Sequence, residues 1–100
     1  MEFEPHKPPH PGQLIYEVHI EPFKDVSANK IAGYLDVAPS TFNRLLHGKA
    51  NITPGMAVRL AGVLGGSATL WMNLQTSYDL CLAKKTMKTK FERFDFEAVA

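Results

Sequence analysis

The chain has 100 residues, 45% of them apolar, and a formal net charge of +1. This length supports one domain with a modest core, for which dimerisation is a way to bury more surface. No apolar run approaches the roughly 18 to 20 residues that cross a bilayer, and the charged, proline-rich N-terminus lacks the features of a secretory signal, so we expect a cytoplasmic protein without membrane contact.

The first ten residues form a proline-rich arm. Prolines at positions 5, 8, 9 and 11 disfavour regular structure, and we therefore expect a flexible arm over residues 1–10. His6 and His10 lie four residues apart. Outside a helix they do not share a face as a metal-binding pair would, and no Cys cluster accompanies them.

A first helix is predicted after the arm. Leu14, Ile15 and Val18 recur at the spacing of a buried helix face. Glu21-Pro22 ends this pattern, because the residue before a proline disfavours the helical conformation. We expect this helix to pack beneath the elements that follow.

Residues 27–47 predict two short helices joined by a tight turn. Ser27 can cap the first helix with its hydroxyl group. The inward face of this helix is Ile31, Ala32 and Leu35. The small Ala32 allows a close helix crossing, Asp36-Val37 forms the turn, and Pro39 suits the first turn of the next helix. The arrangement is a helix-turn-helix.

The second helix of this pair has two different faces. Its apolar face is Phe42, Leu45 and Leu46, and its polar stripe is Ser40, Asn43, Arg44 and His47. An arginine fork matches the two major-groove acceptors of guanine, and an asparagine amide can pair with adenine. The polar stripe is therefore suited to reading bases, although its spacing alone also fits an ordinary solvated helix face.

The distribution of charge favours this region as the part that binds a polyanion. Residues 1–26 carry five acids and two bases, residues 27–66 one acid and four bases, and residues 67–100 four acids and five bases. The candidates for phosphate contacts are Lys30, Arg44, Lys49 and Arg59. So few cations per chain predict weak non-specific affinity for DNA. We therefore expect a dimer, which presents two reading helices about 34 Å apart.

Two further helices are predicted. Thr53-Pro54 begins the fourth helix, Gly65-Gly66 ends it, and Ser67 caps a long, amphipathic fifth helix. Residues of the fourth helix expected mostly in the core are Met56, Val58, Leu60, Ala61, Val63 and Leu64. The expected stripe of the fifth is Leu70, Trp71, Leu74, Tyr78, Cys81 and Leu82. Cys81 is the single cysteine, so an internal disulfide is excluded.

The last residues, 86–100, form a C-terminal tail. Phe94 and Phe96 alternate with Asp95 and Glu97, and this period of two favours a short extended segment. Three uses of the phenylalanines stay open. They cover their own domain or a sister subunit, they add a strand to a partner protein, or the tail is disordered.

Enzymatic functions have little basis in the sequence. No nucleophile has a credible base, and neither a P-loop nor a catalytic triad is recognisable. Gly65-Gly66-Ser67 has the composition of a phosphate nest, but a helix end followed by a cap accounts for all three residues. We expect no enzyme activity, no cofactor and no bound metal.

Several motifs together resemble those of a known family. They are the HPG start at residues 10–12, Ala32, Asp36-Val37, Pro39-Ser40-Thr41, Leu45, His47-Gly48-Lys49, Ile52-Thr53-Pro54 and the LWMNLQ segment at residues 70–75. In this order they resemble the lambda-repressor-like helix-turn-helix and, within it, the HigA family of addiction-module antitoxins. The likeness covers roughly residues 10 to 85. Two departures are Asp36 in the turn position usually given to glycine, and Ala38 at the cap position.

The resemblance implies an all-α, five-helix domain over residues 11–85, with its helix-turn-helix core at 27–47 and a short extended tail. It implies a type II antitoxin that represses its own operon, binds a two-fold operator in double-stranded DNA as a homodimer, and neutralises a HigB toxin, a RelE-like mRNA endonuclease. Implied contacts to base edges or adjacent phosphates are Ser40, Thr41, Asn43 and Arg44, and implied contacts to the DNA backbone are Ser27, Ala28, Asn29 and Lys49. The alternatives are a stand-alone repressor without a toxin and a protein-interaction module without DNA binding.

Overall fold

The computed structural model describes residues 7–98. Its helices are α1 (Pro11–Ile15), which continues as a π-helical segment (Tyr16–Ile20), α2 (Ala28–Leu35), α3 (Pro39–Leu46), α4 (Pro54–Leu64) and α5 (Ala68–Thr86). No strand occurs between residues 7 and 98. The predicted all-α, helix-turn-helix fold is confirmed. None of the helices in this range combines the length and the apolar character needed to cross a membrane.

The predicted capping residues begin and end the helices. A side-chain hydroxyl accepts a hydrogen bond of 3.0 to 3.2 Å from the backbone N–H three residues later at Ser27, Thr53 and Ser67. Helix α3 begins at Pro39 without such a cap, because Ala38 has no polar side chain. Gly65 and Gly66 end α4 with φ angles of 96° and 77°, a region that glycine adopts without steric penalty.

One core joins all five helices and the loop before α4. Its buried apolar residues are Ile15, Ile20, Ile31, Ala32, Leu35, Phe42, Leu45, Ile52, Ala57, Leu60 and Trp71. The predicted inward faces of α2 and α3 are therefore confirmed, with Leu46 half-buried at the edge. The polar stripe of α3 therefore lies on a helix whose opposite face is buried in this core.

One core position predicted near the end of the first helix is wrong. Val18 is 55% exposed, whereas Ile20 is buried. The helix widens after Ile15, and the Glu21 N–H donates to the Tyr16 carbonyl, five residues earlier, at 2.8 Å. A π-helical turn places residues i and i+5 on one face. Ile15 is therefore followed into the core by Ile20 rather than by Val18.

Four other apolar residues predicted for the core are exposed: Val58, Val63, Leu70 and Leu82. In α4 the inward stripe begins at Ala57 and continues through Leu60, Ala61 and Leu64. This i, i+3, i+4, i+7 stripe excludes both valines. In α5 the buried positions are Trp71 and Gln75, so the leucines at 70 and 82 lie beside the inward stripe.

Gln75 is a buried polar residue that joins α5 to the loop after α3. Its Oε1 accepts a hydrogen bond from the Ile52 N–H at 2.7 Å, and its Nε2 donates to Asn51 Oδ1 at 3.2 Å and to Asp79 Oδ1 at 3.0 Å. The amide is thereby satisfied at both ends, as a buried polar group requires. The loop that carries Lys49 is consequently held to the body of the domain.

Candidate nucleic-acid interface

One side of α3 presents polar side chains to solvent. Ser40, Thr41 and Arg44 are exposed, while Phe42 and Leu45 on the opposite side are buried. The helix is therefore anchored by its apolar side and open along its polar side. A helix exposed in this way fits the B-DNA major groove, which is about 12 Å wide.

Arg44 and Lys49 are brought together at the end of α3. The Lys49 N–H donates to the Arg44 carbonyl at 2.8 Å, and Arg44 Nη2 donates to the Lys49 carbonyl at 3.2 Å. Gly48 between them has a φ of 72°, and its N–H donates to the Leu45 carbonyl at 3.1 Å. This is a Schellman motif, which explains the His-Gly-Lys sequence at this helix end. The Arg44 guanidinium keeps further N–H donors for a base or a phosphate.

Asn43 differs from the rest of the polar stripe. It is half-buried, and its Nδ2 donates to the Pro39 carbonyl, one turn earlier, at 2.8 Å. It lines a groove between the helices together with Gln13, Tyr16 and Ala28. The Asn43 side chain therefore lies on a different side of α3 from that of Arg44, beside the start of α2.

The start of α2 has the features predicted for contact with a DNA backbone. Ser27 and Asn29 are exposed and Ala28 is half-buried. The Ser27 hydroxyl caps the N–H of Lys30, an exposed residue. The first turn of a helix offers backbone N–H groups to which phosphate oxygens can bind.

The sequence made Arg59 a candidate for a phosphate contact, but in the structure its side chain binds groups of the protein itself. Its Nη1 donates to the carbonyls of Leu35 at 2.8 Å and Asp36 at 3.2 Å, and it lies 3.8 Å from Asp36 Oδ2. Asp36 has left-handed backbone angles, φ 57° and ψ 46°. The guanidinium therefore pairs with carbonyls left free at the C-terminus of α2, where the helix dipole favours a cation. It braces the turn that orients α3.

Sequence reasoning missed the role of His10. The residue is only 9% exposed, and its Nδ1 accepts a hydrogen bond from the Gly12 N–H at 3.0 Å as the N-cap of α1. Its ring packs edge-on against Tyr78 of α5, with the centroids 5.0 Å apart. The signal was the sequence His-Pro-Gly, a polar cap followed by proline at the first helical position. His6, the other histidine of the arm, lies outside the described residues.

Gly12 holds α1 directly against the end of α3. A Cβ atom at this position would overlap the carbonyl group of Leu45. The absence of a side chain thus permits the close approach of the two helices. Within residues 7–98 no three His, Cys, Asp or Glu side chains group together in a way that could hold a metal ion.

Known proteins similar to this chain are regulators and antitoxins. No protein-family model matches the chain. An uncharacterized HTH-type transcriptional regulator of Escherichia coli, YddM, is 44% identical over 79 residues, which cover 79% of this chain and 82% of the relative.

Two solved structures from Pseudomonas aeruginosa have a closely similar fold. A protein in complex with its 18-bp operator DNA is 33% identical, with a TM-score of 0.76 over 82% of this chain and 87% of that chain. The antitoxin HigA with the higBA promoter is 34% identical, with a TM-score of 0.73 over 79% of this chain and 85% of that chain. None of these three similar proteins is described as an enzyme.

Proposed function

Since the chain belongs to the HigA family of helix-turn-helix regulators, we propose that it binds a two-fold operator as a homodimer and represses its own operon. We also propose that it is an antitoxin that neutralises a HigB-like toxin, a RelE-like mRNA endonuclease. The relatives support DNA binding, because two of the similar structures hold an operator or a promoter.

The exposed polar side of α3 is the observation that carries the DNA-binding proposal. In this role Ser40, Thr41 and Arg44 contact base edges or adjacent phosphates from within the major groove. Asn43 contributes from the groove beside α2, where its Oδ1 and the second hydrogen of its Nδ2 stay available beyond the bond to Pro39. Arg44 has the largest expected share, because a guanidinium can bind guanine through two hydrogen bonds.

A second set of residues fixes the register of the protein on the duplex. Ser27, Ala28 and Asn29 approach the DNA backbone at the first turn of α2, and Lys49 does so from the loop after α3. The bonds between Gln75, Asn51 and Ile52 support this role of Lys49, because they attach its loop to α5.

Titration of labelled duplexes tests the DNA-binding proposal. The full chain is titrated against its own promoter fragment and against a scrambled duplex of equal length at several salt concentrations. We expect the promoter to bind at least about 1,000-fold more tightly, and both affinities to fall as salt rises. Absence of binding to either duplex at low salt would remove the proposal and favour a protein-interaction module.

Co-expression tests the toxin partnership. A small open reading frame beside this gene is expressed alone and together with the chain. We expect growth arrest in the first case and normal growth in the second. Growth unaffected by any neighbouring gene, with operator binding intact, would leave a stand-alone repressor, the alternative favoured by relatives described only as transcriptional regulators.

A further inference from the structure

The end of α5 carries the densest positive charge of the chain. Four of the eleven Lys and Arg residues lie within residues 84–90, and no acidic residue occurs between Asp79 and Glu92. All four are exposed: Lys84, Lys85, Lys88 and Lys90. Residues 27–66 hold as many basic residues, spread over forty positions. The total for residues 67–100 is only +1, because the acidic residues on either side of this segment offset its charge.

Interactions within the domain account for only part of this charge. Lys84 and Lys85 lie in the last turn of α5, where the helix dipole favours cations. That effect ends with the helix at Thr86, so it does not extend to Lys88 and Lys90. Within residues 7–98 none of the four lysines has a carboxylate at ion-pair distance. Their mutual repulsion therefore favours a partner that carries negative charge.

The proline-rich arm brings a fifth lysine to the same place. Lys7 and Pro8 line a groove of about 220 Å³ together with Tyr78, Leu82 and Lys85 of α5. These three residues recur at i, i+4 and i+7, which is one face of a helix. The arm and the end of α5 thus form one surface, here called the basic end and defined by Lys7, Lys84, Lys85, Lys88 and Lys90.

His10 connects the basic end to the loop that carries Lys49. Its ring packs edge-on against Tyr78 with the centroids 5.0 Å apart. Its Cγ lies 3.6 Å from the place that a Cβ atom at Gly48 would occupy. Lys85 follows Tyr78 by two helical turns, about 10 Å. The basic end therefore lies about 15 Å from the loop, which corresponds to roughly four base pairs at 3.4 Å each.

We propose that the basic end binds phosphates of the operator backbone about four base pairs away from those bound by Lys49. This inference rests on the DNA binding of the proposed function and adds a second surface to it. A duplex suits this surface better than an acidic protein does, because the phosphates beside Lys49 continue past it with one charge per 1.7 Å of helix axis. Such contacts add affinity without selecting a sequence.

The added contacts also resolve a shortage of charge on the helix-turn-helix. Arg59 is occupied by carbonyls of the turn, which leaves Lys30, Arg44 and Lys49 as the cations of residues 27–66 that can meet phosphates. Non-specific affinity rises with the number of phosphates that a protein neutralises. The basic end more than doubles the number of cations that each chain offers to the duplex.

Removal of one charge in the full chain tests the basic end. Affinity for the promoter fragment and for a scrambled duplex is measured at several salt concentrations. We expect Lys85→Gln to weaken binding to both duplexes by about three- to tenfold at low salt, and to lower the slope of log affinity against log salt by about 1. Lys85→Arg keeps the charge and should bind within about twofold of wild type.

The matched control is Gly62→Glu, which changes the net charge by the same amount at an exposed position of α4, where an added Cβ meets nothing within 4 Å. It should change both affinities by less than about twofold, because salt screens a charge that is distant from the duplex. An effect of Lys85→Gln no larger than that of the control, with wild-type operator binding intact, would overturn the inference and favour an acidic protein at this surface. A loss in Lys85→Arg equal to that in Lys85→Gln would overturn it as well.

Phosphate ethylation interference on the operator locates the contacts. We expect the triple variant Lys84→Gln/Lys85→Gln/Lys88→Gln to lose interference at phosphates about four base pairs from those that Lys49→Ala loses. Loss at the same phosphates in both variants would overturn the separate surface. A wild-type chain that binds neither duplex at low salt would instead remove the DNA binding of the proposed function, and the basic end would lose its partner with it.

Discussion

Gly12 lies so close to the carbonyl of Leu45 that a methyl group at residue 12 would overlap it. The same carbonyl accepts the Gly48 N–H at 3.1 Å in the motif that ends α3. The first helix therefore fixes the position at which the proposed reading helix ends. The contact ties the end of the HPG motif, at Gly12, to the His-Gly-Lys motif, whose Gly48 lies 36 residues later.

Gly12→Ala should destabilise the domain by about 1 to 3 kcal/mol, because α1 must move away from α3. Urea unfolding followed by circular dichroism gives the free energy. The matched control is Gly62→Ala in α4, where an added Cβ meets nothing within 4 Å, and which should gain about 0.5 to 1 kcal/mol. Equal stability of the two variants would show that the contact between α1 and α3 is looser than described.

Arg44→Ala should cost about 1 to 3 kcal/mol of operator affinity and relax the preference at one base position. Lys49→Ala should instead weaken binding to all duplexes alike and lower the slope of log affinity against log salt by about 1. Binding isotherms at several salt concentrations, on operator and scrambled duplexes, separate the two effects. If both variants lose equal affinity on both duplexes, the division between base contact and backbone contact is wrong.

Gln75→Leu should lower stability by about 1 to 3 kcal/mol, because the N–H of Ile52 then stays buried without its acceptor. The measurement is again urea unfolding. Gln13→Leu serves as the control, since the side chain of this exposed glutamine donates to the exposed Glu17 carboxylate at 3.0 Å and its loss should change stability by less than about 0.5 kcal/mol. A loss no greater than that of the control would contradict the bridging role of Gln75.

Asp36→Gly should be more stable than Asp36→Ala by about 1 kcal/mol, because residue 36 has a φ of 57°, which glycine adopts without a clash between Cβ and backbone. Both substitutions remove the carboxylate near Arg59, so that loss cancels in the comparison. Thermal unfolding of the two variants gives the difference. An alanine variant as stable as the glycine variant would mean that the turn relaxes to another conformation.

Local signals in the sequence were sufficient to predict where α2, α3, α4 and α5 begin. Ser27, Thr53 and Ser67 cap the helices for which they were predicted, and Pro39 begins α3. These features depend on a few neighbouring residues, which a sequence displays directly. The inward faces of α2 and α3 were predictable for the same reason, since both are short helices with a single apolar stripe.

The remaining features depend on contacts between distant residues. The burial of Ile20 in place of Val18 follows from a π-helical turn that the sequence pattern does not announce. Gln75 is buried because its partners are in a loop 23 and 24 residues earlier, and apolar periodicity cannot identify a polar core residue. The pairing of Arg59 with Leu35 and Asp36 requires α4 to pack across the turn. Each is a consequence of tertiary packing.

The bond from Arg44 Nη2 to the Lys49 carbonyl restricts the arginine before any duplex arrives. An unrestrained arginine forfeits up to about 2 kcal/mol of rotamer freedom when it is immobilised. In this fold, part of that entropic penalty is incurred once, during folding, and association with DNA proceeds from a side chain that is already partly ordered. The same tether shortens the reach of the guanidinium, which narrows the set of base positions it can probe without releasing the loop.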